Sequence, residues 1–200
     1  MGFEIIIAQA FWLILPAYIA NASAVLVGGG TPIDFGKKYK DGKRILGDGK
    51  TWRGLFIGTL VGMIGGFGLS VLAFYINKID PSYITISNFA GFPLMIPIIF
   101  SICFGALLGD IIESFFKRRI GRKRGEDWIP FDQLDFILGV LFFSFLMAGL
   151  LYLLGLTADT NWFFENFHIE HILVLLIVTP FLHLISNYLH KLIRARKTVK

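Results

Sequence analysis

Four carboxylates, Asp110, Glu113, Asp132 and Asp135, flank six cations in the stretch GDIIESFFKRRIGRKRGEDWIPFDQLD, residues 109–135. If residues 109–117 continue a helix, Asp110, Glu113, Ser114 and Lys117 fall at i, i+3, i+4 and i+7 and share one face. If a second helix starts near Pro130, a favoured first helical residue, Asp132 and Asp135 stand one turn apart on it. The linker is short enough to bring the two faces together. Four carboxylates so close repel one another, and ionised groups beside hydrocarbon are costly unless compensated. A divalent cation removes both difficulties. Mg²⁺ takes oxygen ligands and shares its shell between carboxylates and substrate phosphates. The intervening cations, Lys117, Arg118, Arg119, Arg122, Lys123 and Arg124, would hold the rest of a polyphosphate. Carboxylates for metal and cations for phosphate are the requirements of phosphoryl-type transfer.

The elements carrying this cluster are apolar. Of 200 residues, 55% are hydrophobic and 16% charged, well below the roughly 25% charged of soluble domains. Residues 5–33, 54–77, 81–109, 136–158 and 171–190 contain no Asp, Glu, Lys or Arg, and about 20 apolar residues cross a bilayer as a helix. The expected fold is all-α, a polytopic membrane protein of five spans near 5–30, 54–77, 89–117, 131–157 and 170–192. They form a single membrane domain over 1–200. The first run is too long for a secretory signal, and MGFE before it is not basic.

Seven Lys/Arg lie in 31–53, six in 117–124, five at the C-terminus, and Lys78 stands alone. Five spans put the three basic segments on one side, which the positive-inside rule assigns to the cytoplasm, with the N-terminus outside and the C-terminus inside. The basic balance is therefore a topology signal, not a sign of nucleic-acid binding. Gly54, Gly58, Gly62 and Gly66 form a small-residue stripe suited to close helix packing. The stretch 157–167 reads as an outer surface turn with Trp162 at interfacial depth, and Cys103 as a buried small hydrophobe.

The loop TPIDFGKKYKDGKRILGDGKTWR, 31–53, contains GDGKT, but Arg44 stands where a phosphate loop needs its first glycine, and membrane helices replace the strand–helix frame. What remains is a glycine-freed backbone with Arg44, Lys50, Thr51 and Arg53 as donors to phosphate.

These residues resemble a family. Ser114, Lys117, Arg118, Lys123, Asp132 and Asp135 match the S-x-x-K-R-x4-K … D-x-x-D signature of CTP-dependent CDP-diacylglycerol synthases. Arg124, the stretch 129–131 and Gln133 depart from that pattern. Across its whole length the chain is similar to the smaller archaeal CDP-archaeol synthases, in both PIDFGKKYKDGKRILGDGKTWRG and GDIIESFFKRRIGRKRG … PFDQLD. The resemblance implies CTP and an isoprenoid ether-lipid phosphate (unsaturated archaetidic acid) as substrates, Mg²⁺ as cofactor, and a multi-pass cell-membrane protein working on its cytoplasmic side. It implies catalysis by Asp110, Asp132, Asp135 and Lys117, with metal held by Asp110, Glu113, Asp132 and Asp135. Asp34, Arg44, Lys50, Thr51, Arg53, Ser114, Arg118 and Lys123 would hold the nucleotide. Two rivals stand beside this reading. A CDP-alcohol phosphatidyltransferase would need D-G-x-x-A-R and carboxylates four apart, which DGKR, DGKT and the spacing of three do not supply. An ion or solute transporter would suit polar groups among apolar spans.

Overall fold

The computed structural model describes residues 2–79, 85–122, 126, 128, 131–157 and 161–181. Long apolar sequences form α1 (Phe3–Val27, with Pro16 inside it), α2 (Trp52–Ile79), α3 (Met95–Arg119) and α4 (Phe131–Leu153). All four are long and apolar enough to cross a membrane. A single turn, α5 (Trp162–Asn166), and a shorter apolar helix, α6 (Ile169–Phe181), follow. No strand occurs among the described residues, only isolated bridges in the 31–51 loop.

Helix ends differ from the sequence expectation where the backbone turns left-handed. α1 stops at Val27 and not near 30, because Gly29 and Gly30 adopt φ of 97° and 78°. α3 begins at Met95 and not at 89, since Phe89, Ala90 and Gly91 all have positive φ. α4 ends at Leu153, before Gly155 at φ 66°. Of the expected fifth span, residues 182–192 lie outside the described residues.

The glycine stripe of α2 packs as its spacing suggests. A Cβ on Gly58 would sit 2.8 Å from the Ala24 methyl, and one on Gly62 would sit 2.7 Å from Ala20 Cβ and 2.8 Å from Cys103 Sγ. Backbone-to-backbone approach therefore joins α1 to α2. Cys103 is wholly buried there. α6 runs alongside α1 in the same direction. His171 Nε2 lies 3.2 Å from Gln9 Oε1, and Tyr18 Oη lies 3.1 Å from Thr179 Oγ1.

The 157–167 stretch is a correction to the sequence reading. Asn161 caps α5 by accepting the Phe163 N–H at 2.9 Å. The turn drives Trp162, Phe163 and Phe167 into the core, at 4%, 7% and 3% exposure, and leaves Phe164 outside. Burial of aromatic area, not an exposed position in the turn, sets where these rings lie.

Overpacking a tight core costs ~1–3 kcal/mol, so Gly62→Leu should lower the thermal midpoint of the purified protein by several degrees. Gly68→Ala, whose Cβ meets nothing within 4 Å, should leave it unchanged or raise it, because alanine favours the helix.

Candidate active site

The site begins with a second close approach. On α3, a Cβ at Gly105 would lie 2.7 Å from the Gly139 carbonyl oxygen of α4. One turn later, a Cβ at Gly109 would collide with the Asp135 backbone. With no side chain between the helices, Asp135 comes to rest beside Asp110. Carboxylate oxygens of Asp110, Glu113 and Asp135 all lie within 4.8 Å of one another. The helical face expected from the sequence forms, and Glu113, Ser114 and Lys117 are buried on it.

Within this cluster the carboxylates are not equivalent. Asp110 pairs with Lys50 Nζ from the 31–51 loop. Asp132 stands outside the group of three. Its oxygens receive Lys117 Nζ at 2.9 and 2.8 Å and the Trp128 N–H at 2.8 Å. Glu113 has an 8% exposed side chain, and its Oε1 is 3.6 Å from Lys117 Nζ, with no hydrogen-bond partner. A buried carboxylate oxygen without a partner is costly. Three clustered carboxylates, one incompletely satisfied, form a hard oxygen donor set that fits a divalent ion such as Mg²⁺.

A cavity of about 420 Å³ opens on the cluster. Asp110, Asp132, Asp135, Lys50 and Thr51 form its charged and polar wall, while Ala22, Val25, Leu55, Leu107 and Phe136 make the rest apolar. Asn21 of α1 also lines it, with a buried Oδ1 that has no partner. Asn21 is not among the site residues expected from the sequence. Its signal was an amide in an otherwise apolar run.

The 31–51 loop delivers Lys50 by folding on itself. Ile33 N donates to the Lys50 carbonyl at 2.8 Å, and Trp52 N to the Thr31 carbonyl at 3.2 Å. Thr51 then caps α2, its Oγ1 accepting the Gly54 N–H at 3.1 Å. Asp34 organises the interior of the loop. It accepts Arg44 Nη2 at 2.8 Å and the N–H groups of Leu46 and Gly47 at 3.0 Å each. Burial would raise the Asp34 carboxyl, but the Arg44 guanidinium and the backbone donors of Gly47, Leu46 and Gly36 hold it well below the usual carboxylate range.

Several expected nucleotide-binding residues therefore stand elsewhere. Asp34 and Arg44 pair inside the loop, and Arg44 also meets Asp48 at 2.8 Å. Arg53 is exposed on α2 and does not line the cavity. Arg118 donates to the Leu46 carbonyl at 3.3 Å, fixing the loop to α3. Arg119, given no separate role by the sequence, does the same more extensively. It pairs with Asp41 at 2.7 Å, donates to the Arg44 carbonyl and lies 4.7 Å over the Tyr39 ring. Lys123 lies outside the described residues.

Comparison with known proteins decides the family. A family model described as CarS-like CDP-archaeol synthase matches residues 3–199. The chain belongs to the CDP-archaeol synthase family. Among curated relatives, the CDP-archaeol synthase of Methanosarcina barkeri is 39% identical over 191 residues, 92% of this chain and 98% of that protein. That of Halorubrum lacusprofundi is 42% identical over 184 residues, 91% of each chain. That of Pyrococcus abyssi is 41% identical over 181 residues, 90% of each. A solved structure described as an intramembrane enzyme for archaeal membrane lipid biosynthesis is similar at a TM-score of 0.67 and 32% identity, over 91% of this chain and 94% of that one. Membership of the CDP-archaeol synthase family, with four apolar helices of membrane-spanning length, makes this a multi-pass membrane enzyme and sets the transporter reading aside.

Two predictions follow from this geometry. Gly109→Ala should push α3 from α4 and weaken Mg²⁺ binding about tenfold or more, measured by titration calorimetry on protein of unchanged helicity. Asp34 titrates below its unfolded value of about 3.9, so its stabilisation of the loop is complete above that pH and lost as pH falls through the depressed folded value. Asp34→Asn should remove that contribution at neutral pH, seen as severalfold faster tryptic cleavage at Lys37–Lys43.

Proposed function

We propose that the protein is a CTP-dependent cytidylyltransferase that converts an unsaturated archaetidic acid to CDP-archaeol and pyrophosphate, within one membrane domain of five spans. The observation that carries this reading is the cavity of about 420 Å³ with one charged and one apolar wall. A polar nucleotide and a phosphate attached to hydrocarbon chains need both surfaces at one place. The parallel course of α1 and α6 supports a fifth span ending on the carboxylate side. The basic loop and the basic end of α3 lie on that same side, which the positive-inside rule makes cytoplasmic.

Asp110, Glu113 and Asp135 would hold Mg²⁺ through their carboxylate oxygens. When bound, the ion draws charge from phosphate oxygens and fixes their position. Among the described residues, Lys50 and Lys117 are the cations best placed for the nucleotide phosphates. One pairs with Asp110 and lines the cavity, and the other is held by Asp132 behind it. In this arrangement Asp132 orients Lys117 and adds negative charge to the metal side of the site. Thr51 shares the lining, and Ser114, Arg118 and Lys123 belong to the signature around it.

An oxygen of the lipid phosphate forms a bond to the α-phosphorus of CTP. The bond from that phosphorus to the oxygen bridging to the β-phosphate breaks, and its electron pair leaves with pyrophosphate. The attacking monoester has a second pKa of about 6 and is largely dianionic near neutrality. No general base is required, which fits a cavity whose described lining holds three carboxylates and Lys50 but no histidine. The enzyme's contribution is positioning and charge neutralisation.

Purified protein given CTP, Mg²⁺ and ether-linked lipid phosphate should release pyrophosphate and form the CDP-lipid. Asp110→Asn and Asp135→Asn should each lower turnover by roughly 10²-fold or more while eluting as folded protein, and each should weaken Mg²⁺ binding measured without substrates. Near-normal turnover in both variants would remove these residues from the metal set.

A further inference from the structure

The end of the bundle opposite the carboxylates holds a second cavity, of about 650 Å³, that the reaction does not use. Gln9 of α1, Asn77 of α2, Thr157 beyond α4, Trp162 and Asn166 of α5 and His171 of α6 all contribute to its lining. Five separate segments thus converge on one polar space inside an otherwise apolar bundle.

Three of these residues hold a polar atom that is closed to solvent and meets no partner: Thr157 Oγ1, Trp162 Nε1 and His171 Nδ1. Trp162 and His171 are only 4% and 5% exposed. Buried polar groups in folded proteins are normally paired, so three orphans around one cavity point to something that fills it.

Their chemistry specifies what that is. Gln9 Nε2 donates to the Thr85 carbonyl at 2.7 Å, which fixes the amide and turns Oε1 toward His171 Nε2, 3.2 Å away. A carbonyl oxygen only accepts, so Nε2 carries the proton and Nδ1 of the neutral ring presents a lone pair. Trp162 Nε1–H only donates, and the Thr157 hydroxyl does either. Among the described lining residues there is no Lys or Arg, and the one carboxylate, Glu165, is already engaged. An anion finds no counter-charge here, and an apolar molecule would leave all three atoms unpaired. A hydroxyl group both donates and accepts, and carries no charge.

The wall is also built in advance. Phe89, Ala90 and Gly91 adopt φ of 56°, 68° and 68° in succession, a backbone state that non-glycine residues keep only where their surroundings impose it. Trp12 Nε1 holds the Ser87 carbonyl at 2.9 Å, Ser70 Oγ the Asn88 carbonyl at 2.7 Å, and Asn77 Nδ2 the Ile86 carbonyl at 2.8 Å. Helices α1 and α2 thereby clamp the 86–91 segment that borders the cavity.

We propose that this cavity binds an uncharged polyol, the glycerol- or sugar-type headgroup of a neutral lipid or the free polyol itself. In the orientation given above, it meets the leaflet opposite the reaction. The test uses full-length protein in phosphatidylcholine nanodiscs, with either monoglucosyl diacylglycerol in the bilayer or methyl glucoside in the buffer, and no CTP. Wild-type protein should gain about 3 °C or more in thermal midpoint at saturation. Thr157→Val and Trp162→Phe, which delete the hydroxyl and the indole N–H at near-constant volume, should lose that gain, and Thr157→Val should keep normal CTP turnover. A gain with the glycolipid alone assigns the site to a lipid headgroup, and a gain with both probes assigns it to the polyol group in general. No gain with either probe, or the same gain in both variants, overturns the proposal and leaves a cavity that holds water only.

Discussion

The approach of α3 to α4 across Gly105, Gly109 and Gly139 is the constraint on which the site depends. Side chains at those positions would hold the helix axes apart, and Asp110 and Asp135 would then face each other across a gap that no single ion could bridge. Removing the side chains has a cost, because mid-helix glycine is less favourable than alanine by roughly 0.5–1 kcal/mol. The return is backbone contact that holds three carboxylates within 4.8 Å of one another. Their mutual repulsion in a poorly screened setting acts against that contact continuously. Packing and chemistry are thus in opposition here. The packing prevails because it is distributed along two helices, while the repulsion is local and falls sharply once cations are added.

Cations supply that relief in two different ways. Arg44, Arg118 and Arg119 are absorbed into architecture, holding the 31–51 loop in shape and against the end of α3. Their planar, forked donors suit this task, since each can meet carboxylate and carbonyl oxygens together. Lys50 and Lys117 are point charges on flexible stems, and among the described residues these are the two that reach the clustered carboxylates. The arginines therefore build the frame in which the lysines act, and the loop exists to carry Lys50 to a partner sixty residues away in sequence.

Much of this was legible in the sequence. Uncharged runs give the long helices, and the spacing of Asp110, Glu113, Ser114 and Lys117 gives one face, because both signals are periodic and local. The roles of Asp34 and Arg44 were not legible. Asp34 was expected to hold the nucleotide and Arg44 to donate to phosphate, and only the fold shows the two satisfying each other and the loop backbone. The placement of Arg53 was not legible either: α2 starts at Trp52, and the helix phase turns residue 53 outward. Gly105, Gly109 and Gly139 carried no visible signal, because a glycine opposite a glycine is recognised only when both helices are paired. The burial of Trp162 was not legible either, since it depends on the single turn of α5 that carries the ring into the core.

Depth ties these features to the reaction. Asp110 precedes the end of α3 by nine residues, about 13 Å along a helix at 1.5 Å per residue. Asp132 and Asp135 stand in the first two turns of α4, so the triphosphate meets the carboxylates near the ends of the apolar helices, where uncompensated charge is expensive and compensated charge is bound strongly. For the lipid the same depth is an advantage. A phosphate anchored to hydrocarbon chains needs little displacement from the headgroup region to meet a nucleotide drawn down to it. Carboxylates near the helix ends can be reached by the soluble substrate from the aqueous side, while the chains of the other substrate stay in the bilayer. A site held out in the aqueous loops would require the enzyme to lift hydrocarbon into water, at roughly 0.8 kcal/mol for every methylene exposed.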